Sequence, residues 1–439
     1  MTRILAALLC ATITFSLPVS ASELSDSVKK DYDEYLADLW DHFHRNPELS
    51  LVEFRTAERM AKELRVAGFE VTEEVGGTGV VAMLENGGGP LVMMRADMDG
   101  LPVEEKSGLP NASKAHQRDP ITGNVVPVMH ACGHDVHITA LVGTARQMAA
   151  RRDEWNGTLM LIVQPAEERV LGARAMMDDN LWERFGQPDY ALAFHVDAGS
   201  PAGKIDAPEG PAYAGADTVD IIVHGVGAHG ASPHRGKDPI LIGSQIVVAL
   251  QSLVSRELAP HSPGVVTVGS FHSGTKHNII SDRAHLQLTV RNTNLETRDT
   301  LLKGIERIAV NVGRAAGLPE DKLPEVIVSE ESVPPTINDA QLARRLKIAW
   351  TEAMGDEALY EEPPEGMGAE DFPLFTLDPE IPSVYWGIGG TPQADIDAEK
   401  AGGPSVPSHH SPLFKISPEP SVRAGVESTV VALLDLMGD

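Results

Sequence analysis

The chain has 439 residues, 42% hydrophobic and 23% charged, the make-up of a soluble globular protein with room for two or three domains. Its formal net charge is −27, with 63 acidic residues against 36 Lys and Arg. That balance speaks against nucleic acid as a partner, because phosphate backbones require clustered cations.

Arg3, the apolar run over residues 4–17 and the small residues Val19-Ser20-Ala21 read as a signal peptide over residues 1–21. The expected location is therefore periplasmic or secreted. The run is too short to span a bilayer, so no membrane attachment is expected after its removal. Removal also takes Cys10, which leaves Cys132 as the one cysteine and excludes an intramolecular disulfide.

Two helices come next. Tyr35, Leu36, Leu39, Trp40 and Phe43 share one face, Pro47 breaks the pattern, and Phe54, Ala57, Met60, Ala61 and Leu64 mark a second helix that stops at Gly68. Short apolar runs then predict strands over 80–84 and 91–94, the second leading into Arg95-Ala96-Asp97-Met98-Asp99. A polar loop over 104–124 leads to His130-Ala131-Cys132-Gly133-His134-Asp135-Val136-His137. These eight residues offer three imidazoles, a thiol and a carboxylate, all ligand types for zinc-like cations. Gly133 lets Cys132 and His134 turn toward one point. The spacing of Ile138, Leu141, Val142, Ala145 and Met148 places the cluster at a loop-to-helix junction.

Further strands are predicted over 158–163, ending in Gln164-Pro165-Ala166-Glu167-Glu168, and over 190–194, ending in His195. Three apolar strands thus deliver an acid or a histidine at the edge where parallel α/β sheets assemble their sites. Near residue 207 the texture changes. Strands over 218–223, 265–271 and 284–291 and helices over 240–253 and 301–315 predict a separate β-α-β-β-α layer. The glycine loop over 225–234 carries G-x-G-x-x-G spacing at Gly225, Gly227 and Gly230, but it follows an alternating, half-buried strand and not a buried one, which speaks against a dinucleotide site. No G-x-S-x-G elbow is present, which speaks against a serine hydrolase. A helix over 342–354, the stretch Met367-Gly368-Ala369-Glu370-Asp371-Phe372, a strand over 384–386, the sequence His409-His410-Ser411-Pro412 and a helix over 422–436 complete the chain. The expected organisation is a catalytic domain over 22–210 and 328–439 with a second domain inserted over 211–327.

Five pieces occur in one order: Arg95-Ala96-Asp97-Met98-Asp99 with Leu101-Pro102, Met129-His130-Ala131-Cys132-Gly133-His134-Asp135, Gln164-Pro165-Ala166-Glu167-Glu168, His195-Val196, and His410-Ser411-Pro412. Together they resemble the co-catalytic zinc metallopeptidase family that includes aminoacylases, hippurate hydrolases and auxin-conjugate amidohydrolases. The resemblance implies an α/β catalytic domain, a mostly parallel sheet flanked by helices, carrying an inserted α+β dimerisation or lid domain. It implies two divalent ions per subunit (Zn, Mn or Co) on Cys132, His134, Glu168, His195 and His410, with His409 as the alternative for the last. It implies a general base at Glu167. Asp99, with Asp97, would orient ligands from behind. His229 would polarise the scissile carbonyl, reaching across a homodimer or larger oligomer, and Asn278 and Arg291 match positions that hold the substrate backbone or carboxylate. The implied reaction is hydrolysis of N-acyl amino acids, hippurate-like or N-acetyl, by metal-activated water. A dipeptidase of the same family and a metal-binding protein without turnover are the alternatives. Two departures stand out: the loop over 117–128 is longer, and Arg169-Val170-Leu171-Gly172-Ala173 stands where relatives carry more glycine.

Overall fold

The computed structural model describes residues 21–361 and 366–438. Apart from Ala21, the expected signal peptide lies outside them. Strands β1 (Glu70–Val75), β2 (Gly79–Asn86), β3 (Leu91–Asp97), β4 (Gly157–Gln164), β5 (Tyr190–Pro201) and β6 (Ile205–Asp206) join β11 (Ser383–Thr391), which lies beyond four strands of a second sheet. The seven are ordered β1-β2-β4-β3-β5-β11-β6. The central four, β4, β3, β5 and β11, run parallel. β1, β2 and β6 are antiparallel additions at the edges. Leu159 to Val163 of β4 are buried on both faces, as a central parallel strand requires.

Helices α1 (Ala37–Arg45), α2 (Phe54–Val66), α3 (His134–Ala150), α6 (Ala340–Met354) and α7 (Pro418–Met437) cover one face. Their core gathers Phe43, Met60, Leu141, Trp350, Trp386 and Leu433. Shorter helices over Gly172–Asp178, Leu181–Phe185 and Pro373–Thr376 cover the other, packing around Met160, Ile162, Phe372 and Tyr385.

The second sheet is antiparallel, ordered β8-β9-β7-β10, from β7 (Gly215–His224), β8 (Gly264–Ser273), β9 (Arg283–Asn292) and β10 (Glu325–Val328). Helices α4 (Pro239–Ser252) and α5 (Leu295–Ala315) lie on one of its faces around a core of their own, with Ile221, Ile246, Leu286 and Ile305. Asp238 caps α4 by accepting the Ile240 and Leu241 amides, and Asn294 caps α5 by accepting that of Thr297.

Three features differ from the sequence expectation. β10 adds a fourth strand to the small sheet; it is only four residues long and mostly exposed, although Val326, Ile327 and Val328 are apolar. β5 does not end at His195 but runs on to Pro201, because β11 continues to pair with it there. The long polar loop contains a hairpin, His116–Arg118 against Val125–Pro127. Asp119 shapes its turn by accepting from the Ile121 amide and the Thr122 hydroxyl.

Candidate metal centre

The parallel strands set the site. Asp97 ends β3 and Asp99 lies two residues on; a tight turn carrying Glu167 and Glu168 comes after β4; His195 sits within β5; and α3 begins at His134. Gly133 has φ 85°, and a Cβ there would come within 2.2 Å of Val196 Cγ1. Only glycine fits between the two side chains it separates, Cys132 and His134.

Cys132, His134 and His195 present ligand atoms within 4.8 Å of one another, and so do Cys132, Glu168 and His410. Cys132 belongs to both sets. A third set is His134, Glu167 and Glu168. Cys132 Sγ lies 3.5 Å from His195 Nε2, and His410 Nε2 lies 3.3 Å from Glu168 Oε2. All five expected ligands therefore meet in one cleft, with Glu167 beside them. His409 is close as well. Its Nε2 accepts the Ala198 amide at 3.1 Å, while its Nδ1 is 3.6 Å from Cys132 Sγ.

Buried hydrogen bonds and an ion pair aim these groups. His195 Nδ1 donates to the Val196 carbonyl at 2.7 Å, which leaves the Nε2 lone pair facing the cleft. Asp99 Oδ1 stands 3.3 Å from His134 Nδ1. The same carboxylate accepts the Ser50 hydroxyl at 2.6 Å.

The cleft is crowded with acids. Burial first, then Glu370 and Glu168, push the Glu167 carboxyl well above its ordinary value. Burial raises Glu168 to about 8, with Asp99 and Asp97 adding to the rise against the His134 charge. Burial and the facing Glu168 and Glu167 carboxylates raise the Cys132 thiol well above its usual range. Burial opposes charge on His134, yet Asp97 and Asp99 lift it to about 10. Burial and the neighbouring His137 and His409 hold His195 well below.

The residues expected to contact substrate from the inserted layer lie apart. His229 is exposed in a two-residue ladder with Ile279–Ile280, and its Nδ1 accepts the amide of Ala231 at 3.0 Å. Asn278 is exposed beside it, its carbonyl accepting the Gly230 amide at 2.8 Å. Arg291 is half-buried on β9, where it pairs with Ala216 and Val265. Among the described residues, no hydrogen bond or ion pair links any of the three to the cluster.

Residues 93–401 match the peptidase family M20/M25/M40. The chain belongs to that family. It is 37% identical to a hippurate hydrolase of Campylobacter jejuni over 76% of this chain and 82% of the relative. It is 33% identical to an N-acetyl-L-cysteine deacetylase of Bacillus subtilis over 77% of this chain and 82% of the relative. Among solved structures, it is similar to the YxeP protein of Bacillus subtilis, described as a dinuclear metal-binding peptidase of the M20 family. That likeness has a TM-score of 0.73 at 27% identity and covers 93% of this chain and 99% of the other.

The M20 cleft fits two divalent cations on its own chemistry. Both ring nitrogens of His134 and Oε1 of Glu168 are buried with no hydrogen-bond partner, although buried polar atoms are normally paired. Acids outnumber cationic side chains around them, and two dications balance that excess. Sequence reasoning missed the layer behind. Arg95 is fully buried and bonds Asp97, Glu370 and Gln164, each at 2.7 Å. Tyr385 donates to Glu370 at 2.6 Å, and Gln164 donates to Asp371 at 2.6 Å. The signal was present as two adjacent acids, Glu370 and Asp371, set directly before the apolar residues 372–375. A second pairing joins His44 Nδ1 to Asp135 at 2.8 Å, with Glu105 at 3.4 Å from its Nε2.

Proposed function

We propose that this M20 hydrolase cleaves the amide bond of N-acyl amino acids of the hippurate or N-acetyl kind. The convergence of Cys132, His134, Glu168, His195 and His410 in one cleft, with Glu167 among them, carries the reading. The relatives named for hippurate and for N-acetyl-L-cysteine support the substrate class. Cys132, His134, His195, Glu168 and His410 would hold the cations, Cys132 belonging to both the set with His134 and His195 and the set with Glu168 and His410. When bound, the cation pair polarises the amide carbonyl and makes water acidic near neutral pH.

Glu167 takes the proton of the attacking water and returns it to the leaving nitrogen. Its buried, acid-rich setting makes it a strong proton acceptor once the cations are in place. Asp99 holds His134 and the turn that carries Glu167 and Glu168, so neither acid reorients during turnover. His229, Asn278 and Arg291 serve the substrate from the inserted lid layer, with His229 acting across a dimer. Export by the N-terminal signal places the enzyme in the periplasm or outside the cell.

The test is turnover of N-acetyl, N-benzoyl and indole-acyl amino acids beside dipeptides, with a chelator control. Release of the free amino acid, abolished by chelation and restored by Zn, Mn or Co, is the expected result. Turnover confined to dipeptides, or indifference to the chelator, overturns the reading.

A further inference from the structure

Glu53 has no part in the reaction described above. It is nevertheless fully buried, and no Lys, Arg or His pairs with it among the described residues. It stands just before α2, with its side chain turned inward. Its Oε1 accepts two backbone amides, Ala166 at 2.8 Å and Leu51 at 3.0 Å. Its Oε2 accepts the Thr78 hydroxyl at 2.7 Å. Both amides belong to non-glycine residues in the left-handed region, Ala166 with φ 48° and Leu51 with φ 72°. L residues resist that region, so surrounding contacts must hold them there.

Ala166 opens the turn that carries Glu167 and Glu168. The next two amides are also held: Glu167 N–H donates to Asp99 Oδ1 at 3.2 Å, and Glu168 N–H donates to Asp99 Oδ2 at 3.1 Å. Three consecutive amides thus end on two buried carboxylates from separate parts of the chain. Val170, with φ 51°, closes the turn, again left-handed. A turn bracketed in this way has its side-chain directions set by the backbone. If Ala166 relaxed to the right-handed region, Glu167 and Glu168 would swing together. A buried carboxylate is costly and replaceable in a mere scaffold, whereas the reach of a Glu side chain is what this amide needs.

We propose that Glu53 is a positioning residue for hydrolysis: by clamping the Ala166 amide it aims Glu167 at the water and Glu168 at its cation. The inference rests on the roles given above to Glu167 and Glu168.

The test compares metal-loaded Glu53→Gln, Glu53→Asp, Glu53→Asp with Ala166→Gly, and Glu167→Gln, each assayed with an N-acyl amino acid and by thermal melting. Gln keeps the reach and loses the charge. Its carbonyl still accepts both amides and its NH2 meets Thr78, so kcat stays within about threefold of wild type. Asp keeps the charge and loses the reach, so kcat falls at least about tenfold at little-changed KM. Ala166→Gly allows the left-handed turn without the clamp and restores most of that loss. A purely structural role would move melting temperatures and leave kcat per metal-loaded molecule alone. Wild-type kcat in Glu53→Asp, a tenfold loss in Glu53→Gln, or no recovery with Ala166→Gly overturns the proposal. Activity surviving in Glu167→Gln would instead remove the underlying mechanism, whatever the Glu53 variants do.

Discussion

His137 gives its Nδ1 proton to Asp97 across 2.5 Å and takes the Val196 amide on Nε2 at 2.8 Å. Both ring nitrogens are thereby occupied, and burial keeps the ring neutral by lowering its pKa. The third imidazole of the His130–His137 stretch is therefore a strut between two strands. It ties the end of β3 to the residue after His195. Replacing it with Ala leaves a buried amide and a buried carboxylate short of partners. His137→Ala should cost about 3 kcal/mol or more of unfolding free energy, measured in urea. A loss below about 1 kcal/mol would show that the strut is dispensable.

Glu167→Gln should retain two cations per chain and lose at least about a hundredfold in kcat. The Gln side chain fits the same space but cannot accept a proton. Metal content by mass spectrometry and steady-state kinetics decide this together. Near-normal turnover would assign the proton transfer to another group.

His410 and His409 are separable by stoichiometry. His410 shares a ligand set with Cys132 and Glu168, whereas His409 spends Nε2 on the Ala198 amide. His410→Ala should bind one cation fewer, and His409→Ala should bind the wild-type number. The reverse pattern would exchange their roles.

Legibility in the amino-acid sequence differs by layer. The ends of β3 and β4 and the start of α3 were legible because buried parallel strands are plain apolar runs, and the residues just past them gather at one edge. Gly133 between Cys132 and His134 was legible for steric reasons. The supporting groups were not. Arg95, Glu370 and Asp371 come from distant segments, and a charged residue on an apolar strand does not announce its partner. Glu53 looks like any acid before a helix until the Ala166 amide is seen on it. Of the edges of the large sheet, β1 is mostly polar and β6 is two residues long, and β10 of the small sheet spans only four residues, too short a run to be distinguished from loop.

Cation binding should depend on pH in a stated direction. In the metal-free protein Glu168 sits at about 8 and His134 at about 10, so protons compete for both at neutrality. Lower pH therefore weakens binding. Chelation should lower the melting temperature, and the gap between loaded and chelated protein should narrow from pH 8 to pH 6. A gap that widens toward acid would contradict these ligands.

His44 gives a second, independent pH signature. Burial disfavours its charge, but Asp135 and Glu105 raise it from 6.5 to about 10. A pKa raised on folding stabilises fully below the unfolded value and fades as pH climbs through the folded one. The stability advantage of wild type over His44→Gln should thus be largest near pH 6 and shrink by pH 10. An advantage that grows with pH would show that His44 is buried uncharged.

The catalytic sheet closes late along the chain. A polypeptide stopped before Ser383 already holds Cys132, His134, Glu168 and His195, but it lacks both His410 and β11, the strand that flanks β5. The full ligand set therefore exists only once nearly the whole message has been translated, and a chain cut short before that point carries an incomplete cleft.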